Sequence, residues 1–232
     1  MKISLIIACY NEAQALPLLL QEVQKEPPFE VLVADGGSED GSQSLVEGYP
    51  DVQLVTCPKG RARQFNEAAQ RARGDLLVFL HADSRLSPGW AAEARRLMGN
   101  PKNQLGAYRF KTDQQGLGMS LLAWGVRLRC WLFHLPYGDQ GLILRRTDFN
   151  ALGGFGDMPL LDDLDLVQRA KQRGRVVLSA LPLITSARRW RKGGLWQVTW
   201  INQKVLWLYW LGKDPKELKE LYQSMADKEK TI

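Results

Sequence analysis

The sequence predicts an α/β protein with a mostly parallel, doubly wound central sheet. Short apolar runs rich in Val, Ile and Leu alternate with helical patterns through the first half of the chain. Such brief, continuously apolar runs are typical of parallel strands buried on both faces. Their alternation with helices implies right-handed βαβ units. With 232 residues, 45% of them hydrophobic and 24% charged, the chain suits one folded domain.

Four strands and three helices are predicted in order along the first half. The predicted strands cover residues 3–8, 31–34, 52–55 and 76–80. The helical period runs through residues 12–25, 40–48 and 61–73. Asp40 is predicted to be the N-cap of the second helix. The strands of the second half are less regular, and seven of the eight tryptophans lie there.

The net charge limits the expected classes of partner, and the cysteine spacing indicates the redox compartment. A net charge of +6 suits an acidic partner such as a nucleotide diphosphate, anionic lipid head groups or nucleic acid. Nucleic acid is not expected, because the chain has no RNP or zinc-finger signature. Cys9, Cys57 and Cys130 form no C-x-x-C spacing, which favours a reducing compartment. The apolar run at the N-terminus is too short for a signal peptide, so we expect a cytoplasmic protein.

Polar residues follow three of the predicted strands. In open α/β sheets, ligands bind outside the carboxyl ends of the strands. Strand one leads into Asn11 and Glu12, strand two into Asp35, and strand four into His81 and Asp83. A carboxylate at the Asp35 position can accept hydrogen bonds from a base or a ribose, although an ordinary acidic turn explains the pattern as well.

Asp83 is a candidate ligand for Mg²⁺ or Mn²⁺, with His81 beside it. One carboxylate beside substrate phosphates can hold such a cation. The alternative is that Asp83 caps a following helix and that His81 is a partly buried, hydrogen-bonded histidine.

Asp162 and Asp163 are adjacent acids at the start of a helical pattern that follows the Gly153–Gly154 turn. A carboxylate at this point can act as general base toward an acceptor hydroxyl. Acids are also common in the first turn of any helix, because they complement its dipole. The pattern alone leaves both interpretations open.

Six motifs together resemble the ordered motifs of family two glycosyltransferases with the GT-A fold. They are ISLIIACYNE (3–12), DGGSEDGS (35–42), GRARQFNEA (60–68), FLHAD (79–83), YGDQG (137–141) and GGFGDMPLLDDLDL (153–166). The GRARQFNEA and YGDQG segments and the short chain are similar to a compact bacterial subgroup, some members of which are linked to arsenosugar biosynthesis. The resemblance implies a single GT-A domain with a nucleotide-sugar-binding half (1–110), an acceptor-side half (111–187) and a C-terminal helical segment (188–232).

The resemblance also implies roles for particular residues. Asp35 would contact the nucleotide, with Asn11 and Glu12 nearby, and Asp83 would bind a metal at the donor diphosphate. Asp163 would be the catalytic base, with Asp162 beside it. Asp139 and Gln140 would lie near the acceptor. The basic candidates for binding the donor diphosphate are Arg61, Arg63, Arg188 and Arg189, and Trp190 is a further candidate on the substrate side.

The chain departs from the family pattern at several of these positions. His81 replaces the first Asp of the usual D-x-D, which leaves the metal and the dependence on it open. Gly36 replaces a second Asp after Asp35, and Asp162 replaces a Glu. Arg189 and Trp190 resemble the end of the Q-x-x-R-W signature of processive members, but Ser186 occupies the glutamine position. We therefore expect a single sugar transfer, and the resemblance to the family implies inversion at the anomeric carbon.

A tryptophan-rich helix is predicted over residues 195–211. Apolar residues fall on two of its faces, with Trp196, Trp200 and Trp207 on one of them. That face either lies on a membrane surface or is buried in the fold or in a dimer.

The sequence leaves the acceptor, the sugar and the oligomeric state open. It also leaves two alternatives to an active enzyme: an inactive nucleotide-sugar-binding protein and a membrane-docked scaffold.

Overall fold

A computed structural model describes residues 1–228 and shows an eight-stranded mixed sheet between layers of helices. The strands are β1 (Ile3–Cys9), β2 (Glu30–Asp35), β3 (Val52–Thr56), β4 (Leu76–His81), β5 (Ser84–Arg85), β6 (Asn103–Thr112), β7 (Leu142–Arg145) and β8 (Arg175–Thr185). They lie in the order β3-β2-β1-β4-β7-β6-β8-β5. Strands β3, β2, β1 and β4 are parallel, as are β6 and β8, whereas β7 runs antiparallel to both its neighbours. The predicted α/β class with a mostly parallel sheet is confirmed.

Helices connect the strands and form the C-terminal segment. They are α1 (Leu16–Lys25), α2 (Ser42–Glu47), α3 (Arg61–Arg71), α4 (Trp90–Met98), α5 (Leu117–Phe133), α6 (Arg146–Leu152), α7 (Asp162–Arg173), α8 (Arg188–Gly193), α9 (Leu195–Trp210) and α10 (Pro215–Lys228). A short 3-10 turn, Gly138–Gln140, precedes β7. No helix within residues 1–228 is long and apolar enough to cross a membrane.

The first three helices begin or end inside their predicted ranges. Helix α1 begins at Leu16 because Pro17 occupies its first turn, where a missing N–H costs nothing. Helix α2 begins at Ser42, after a left-handed Gly41, so the prediction of Asp40 as its N-cap is wrong. The Asp40 carboxylate instead accepts hydrogen bonds from the backbone N–H of Ser42 and of Ala13, and links two loops.

The sheet separates two apolar layers. Alternate residues of β1 enter opposite layers: Ile3, Leu5 and Ile7 lie in one, and Ile6 and Ala8 in the other. These residues are at most 9% exposed, as expected for a strand covered on both faces. The sheet is continuous across the predicted boundary at residue 110, since β6 spans it and pairs with β7 and β8.

The C-terminal helices form a small third cluster. Ile201 and Val205 of α9 pack with Leu218 of α10, and all three are buried. On α9 the predicted apolar face of Val198, Ile201 and Val205 therefore lies inward, with Leu208 packed at its edge. The tryptophan face lies outward, so Trp196, Trp200 and Trp207 are not buried within the fold. A membrane surface and a dimer stay predictions for what covers this face.

Candidate active site

A cleft at the carboxyl ends of β1 and β4 brings most of the predicted site residues together. It consists of two adjoining cavities. The strand-end cavity, about 350 Å³, is lined by residues that follow β1 and β4. The helix cavity, about 390 Å³, lies between the sheet and helices α5 and α9. Both are lined by Arg61, His81, Asp139, Arg189 and Trp190, so these five residues form the boundary between them.

Asp163 lies in the first turn of α7 and lines the helix cavity. Its Oδ2 accepts a hydrogen bond from the backbone N–H of Gly138 at 2.6 Å, and its Oδ1 accepts one from Leu164 at 2.9 Å. Burial by itself raises the pKa of this carboxyl, but the charge of Arg61 and the two N–H groups outweigh it and hold the pKa below its usual range. Asp163 is therefore an ionised carboxylate in a nearly dry position, with 8% of its surface exposed.

Arg61 holds the two adjacent acids. Its guanidinium donates two hydrogen bonds to Asp162 and lies 3.5 Å from Asp163 Oδ1. Asp162 is 2% exposed, whereas the Arg61 side chain is 35% exposed, so water reaches the ion pair only from the arginine side. The sequence proposed Arg61 for a donor phosphate, whereas the structure shows its charge engaged by the acidic pair at the start of α7. Its hydrogen bonds go to Asp162, and its contact with the candidate base Asp163 is the longer one.

His81 ends β4 and lies against the same pair. A Cβ built on Gly138 would lie 3.3 Å from His81 Nε2 and 3.0 Å from Asp163 Oδ2, so the Gly138 backbone passes closely between these side chains. Burial, together with the charge of Arg61, lowers the pKa of His81 to about 4. The imidazole is therefore neutral at physiological pH. Its charged neighbours are the carboxylate of Asp163, the candidate base, and the guanidinium of Arg61.

Asp83 lies in the turn between β4 and β5 and lines the strand-end cavity. No helix follows it, so the alternative of a helix cap is wrong. Burial raises the pKa of Asp83 most, the nearby carboxylate of Glu12 adds to this rise, and the charge of Arg188 opposes it. A divalent cation at Asp83 would stabilise the ionised carboxylate.

The donor set at Asp83 fits a cation that shares its ligands with a phosphate. No group of three or more His, Cys, Asp or Glu side chains within residues 1–228 is placed to hold a metal. A cation at Asp83 would take its other oxygens from a bound diphosphate and water, which is the common arrangement for Mg²⁺. His81 remains a predicted ligand, although it is held toward Asp163.

Asp139 is the second acid of the helix cavity. Its Oδ1 is buried without a hydrogen-bond partner among the described residues. Burial raises the pKa of Asp139 to about 6, and the repulsion from Asp163 adds to it while Arg129 opposes it. The guanidinium of Arg129 also lies over the ring of Tyr137, 3.5 Å from its centroid. An unpartnered acid in the cavity wall has the capacity to accept a hydrogen bond from a ligand hydroxyl.

Asp35 and Asn11 brace the loop that follows β2. Asp35 is 1% exposed and accepts hydrogen bonds from Gly37, Ser38 and Gln43. Burial opposes these bonds, but their sum lowers the pKa of Asp35, so the loop holds a buried carboxylate anion. Asn11 adopts a left-handed backbone and joins the same loop through Ser38 and Glu39. Contact of either side chain with a nucleotide stays a prediction.

The open side of the cleft is formed by four of the predicted residues: Glu12, Arg188, Arg189 and Trp190. Glu12 receives a bidentate ion pair from Arg188, which joins the first loop to the C-terminal segment. Arg189 donates to Asn202 and stacks over Tyr222. The indole N–H of Trp190 is buried with no acceptor within residues 1–228. That N–H is a second polar group that faces the cavities without a partner.

The side chains of two predicted site residues, Arg63 and Gln140, do not line the cleft. Arg63 lies on the outer face of α3 and pairs with the exposed Asp157 at 3.0 Å. Gln140 is 1% exposed, and its amide is engaged by Tyr108, Arg129 and Tyr137. Gln140 therefore fixes the turn that carries Gly138 and Asp139.

The sequence reasoning missed three residues that support the site. Gln64 donates to the carbonyls of Cys9 and Ala34 at the strand ends. Asn66 donates to the carbonyl of Phe155 and accepts from its N–H, which fixes the loop before α7. Arg129 on α5 faces Asp139. Gln64 and Asn66 lie inside the GRARQFNEA motif, which could have indicated that they support the site. Arg129 lies in none of the six motifs, so no sequence pattern indicates its role.

Comparison with known proteins identifies the family of this arrangement. Residues 4–156 match the model of "Glycosyl transferase family 2". An uncharacterized glycosyltransferase, YfnE of Bacillus subtilis, is 35% identical over 111 residues, which cover 44% of this chain and 28% of that protein. An undecaprenyl-phosphate 4-deoxy-4-formamido-L-arabinose transferase of Aeromonas hydrophila is 32% identical over 98 residues, which cover 37% and 30%. The chain thus matches less than a third of the length of these relatives.

The fold has solved counterparts. The mannosyltransferase PcManGT of Pyrobaculum calidifontis, in complex with GDP-Man and Mn²⁺, superposes with a TM-score of 0.68 and 21% identity. The match covers 97% of this chain and 69% of that one. The predicted GT-A fold is thereby confirmed. The narrower resemblance to the arsenosugar-linked subgroup stays a prediction.

Proposed function

The chain belongs to glycosyl transferase family 2, and from this premise we propose that it moves one sugar from a nucleotide-diphosphate sugar to an acceptor hydroxyl, with inversion at the anomeric carbon. The donor occupies the strand-end cavity and the acceptor enters through the helix cavity. The single observation that carries the proposal is Asp163, an ionised and nearly buried carboxylate in the wall of the helix cavity.

Asp163 acts as general base. Its lowered pKa keeps it ionised and ready to take the proton of the acceptor hydroxyl. The N–H groups of Gly138 and Leu164 fix the direction of the carboxylate, and Arg61 balances its charge together with that of Asp162. Neutral His81 adds no charge beside the base. A single base on the face opposite the leaving group is what direct displacement with inversion needs.

The donor side of the cleft orients the leaving group. The loop braced by Asp35 forms one wall of the nucleotide site, and Asp83 would hold the divalent cation. The metal, when bound, neutralises the charge that develops on the departing diphosphate. Arg189 adds positive charge at the open side of the cleft, where Arg188 is paired with Glu12. PcManGT, solved with GDP-Man and Mn²⁺, supports a donor and a metal of these classes.

The test is the Asp163→Asn variant. We expect transfer to fall by about 10²- to 10⁴-fold in kcat, because the general base acts in the chemical step, while donor affinity stays within a few-fold. Asp165→Asn is the matched control: Asp165 lies in the same helix turn but pairs with Arg169 at 2.6 Å. Activity of Asp163→Asn within a few-fold of the wild type would reject the assignment.

The same assay separates the enzyme from the two alternatives. A panel of nucleotide sugars is screened for thermal stabilisation, and the hits are assayed for release of the nucleoside diphosphate with Mn²⁺ or Mg²⁺ present. An inactive sugar-nucleotide-binding protein would be stabilised without turnover. A scaffold would show neither response.

A further inference from the structure

Two helices present long apolar stripes to solvent. On α5 the stripe consists of Leu117, Leu121, Trp124, Leu128, Trp131 and Leu132, and on α9 of Trp196, Trp200, Trp207 and Trp210, followed by Leu211 just after the helix. We call these eleven residues the Trp–Leu surface. Six of the eight tryptophans of the chain belong to it, and each of these is 58% to 72% exposed. Soluble monomers seldom expose a contiguous apolar area of this kind, which marks an interaction site.

The stripes are not needed to hold the helices in place. Of the 17 residues of α5, only Met119 and Cys130 are buried. A groove of about 560 Å³ runs beside α5, lined by Trp124 and Trp131 together with Phe110. Helix α9 is anchored by its opposite face through Val198, Ile201 and Val205. The Trp–Leu surface is therefore available to a partner.

The two segments that carry the surface contain basic residues and no acid, while acids outside them, Glu12, Asp113 and Glu217, pair with Arg188, Arg191 and Lys213. Residues 114–138 contain Arg127 and Arg129 and no Asp or Glu. Residues 186–213 contain six Lys and Arg residues and again no acid. The ammonium of Lys204 lies over the ring of Trp200, 5.0 Å from its centroid. Tryptophans flanked by cations are the composition of a surface that lies in the interface of an anionic membrane.

The same two helices form walls of the helix cavity. Leu122 and Val126 of α5 and Thr199 and Leu206 of α9 line it together with Asp163. The helices meet at their N-terminal ends, where Leu195 leaves no room for a side chain on Gly118. A body that covers the Trp–Leu surface would therefore lie beside the mouth of this cavity.

We propose that the Trp–Leu surface docks on an anionic lipid bilayer and thereby places the mouth of the helix cavity at the membrane surface. Where the proposed transfer also holds, the acceptor hydroxyl is then presented from the plane of the membrane. A second copy of the chain is the competing occupant. It is disfavoured because a symmetric contact would bring the two acid-free, basic segments together.

Vesicle binding tests the proposal. Wild-type protein is mixed with phosphatidylcholine vesicles that contain about one third phosphatidylglycerol, and bound protein is separated by flotation. We expect binding, and at least a tenfold loss of affinity for the Trp200→Ser/Trp207→Ser variant, because these indoles enter the interface. Brominated lipids should quench the tryptophan fluorescence of the bound wild type. Leu18→Ser is the control, since Leu18 is a 44% exposed apolar residue on α1 and is not part of this surface.

Charge reversal supplies the second arm. Lys192→Glu/Lys204→Glu should also lose at least tenfold in affinity for anionic vesicles, whereas Lys102→Glu, on the loop before β6, should bind as the wild type does. The melting temperatures of these vesicle-binding variants should stay within about 2 °C of the wild type, because Lys204 is partly exposed and the other substituted side chains are exposed.

Two outcomes would overturn the proposal. One is wild-type protein that does not float with anionic vesicles. The other is a wild-type dimer in sedimentation that the Trp200→Ser/Trp207→Ser variant converts to monomer, which would assign the surface to a second copy. The Asp163→Asn variant should bind vesicles like the wild type, so that failure of docking and failure of the catalytic assignment are read separately.

Discussion

At the residue scale, the site depends on one arginine, Arg61, which contacts two adjacent carboxylates. Asp162 and Asp163 are neighbours in sequence, and two buried like charges repel each other strongly. Arg61 compensates them, with hydrogen bonds to Asp162 and a 3.5 Å contact to Asp163. Because Asp162 takes the hydrogen bonds, Asp163 keeps an oxygen surface toward the cavity. Asp162, which stands where the resembled pattern has Glu, therefore binds Arg61 beside the candidate base.

Asp83 offers a test of the metal. If it holds a cation at the diphosphate, Asp83→Ala should weaken the metal-dependent binding of a nucleoside diphosphate by tenfold or more and leave binding of the free nucleoside almost unchanged. Titration calorimetry with and without Mn²⁺ measures both. Glu39→Ala, an exposed acid on the loop after β2, is the control. An equal loss of affinity for the two ligands would mean that Asp83 supports the fold and does not hold a metal.

Asp139 predicts a pH dependence of stability. Its pKa is about 6 in the folded chain, above the value near 3.8 of the unfolded chain. The folded state therefore binds more protons between these values, and stability falls as the pH rises from about 4 to about 6. Asp139→Asn removes this ionisation. Relative to the wild type, the variant should gain about 1 to 2 kcal/mol more at pH 7.5 than at pH 4.5.

Urea unfolding at the two pH values measures this difference. The exposed Asp51→Asn serves as control and should not change the difference between the two values. A constant offset between Asp139→Asn and the wild type across this range would mean that Asp139 is not a titrating group in the native state.

At the element scale, helix α3 fastens the two sides of the cleft. Its first turns carry Arg61, Gln64 and Asn66 on the inward side. Gln64 binds the ends of β1 and β2, and Asn66 binds the loop before α7. The GRARQFNEA motif is therefore the element that fixes the candidate base relative to the strand ends.

Asn66→Ala should destabilise the protein by about 1 to 3 kcal/mol, because it leaves both the N–H and the carbonyl of Phe155 without their partner. Gln70→Ala, on the exposed side of the same helix, should stay within about 0.5 kcal/mol of the wild type. Chemical denaturation of the pair is the measurement. A loss of similar size in both variants would point to helix propensity and not to the loop.

At the scale of the whole molecule, the order of the strands creates the cleft. Strand β4 pairs with β1 on one side and with β7 on the other. This brings the ends of the nucleotide-side strands next to the Gly138–Gln140 turn that precedes β7. The C-terminal helices then close the open side through Glu12 and Arg188. Segments more than 170 residues apart thus share one boundary.

The sequence by itself determined the α/β class, the parallel strands and the presence of acids at their ends. Apolar periodicity and turn residues are local signals, and burial on both faces makes them strong in β1, β2 and β4. The same local reasoning placed the start of α7 at Asp162. It failed at Asp40, because a left-handed Gly41 and a loop contact to Ala13 replaced the expected cap.

Only the tertiary structure decided what each polar side chain contacts. Arg61 and Asp163 are 102 positions apart, and nothing local to either predicts their contact. Asp35 reads as a ligand residue in sequence but is saturated by its own loop. Trp200 could be core or surface on the helical pattern alone, since both faces of α9 are apolar. Packing against α10 and the body buried one face and left the other to solvent, because long-range contacts and not periodicity choose which apolar face is covered.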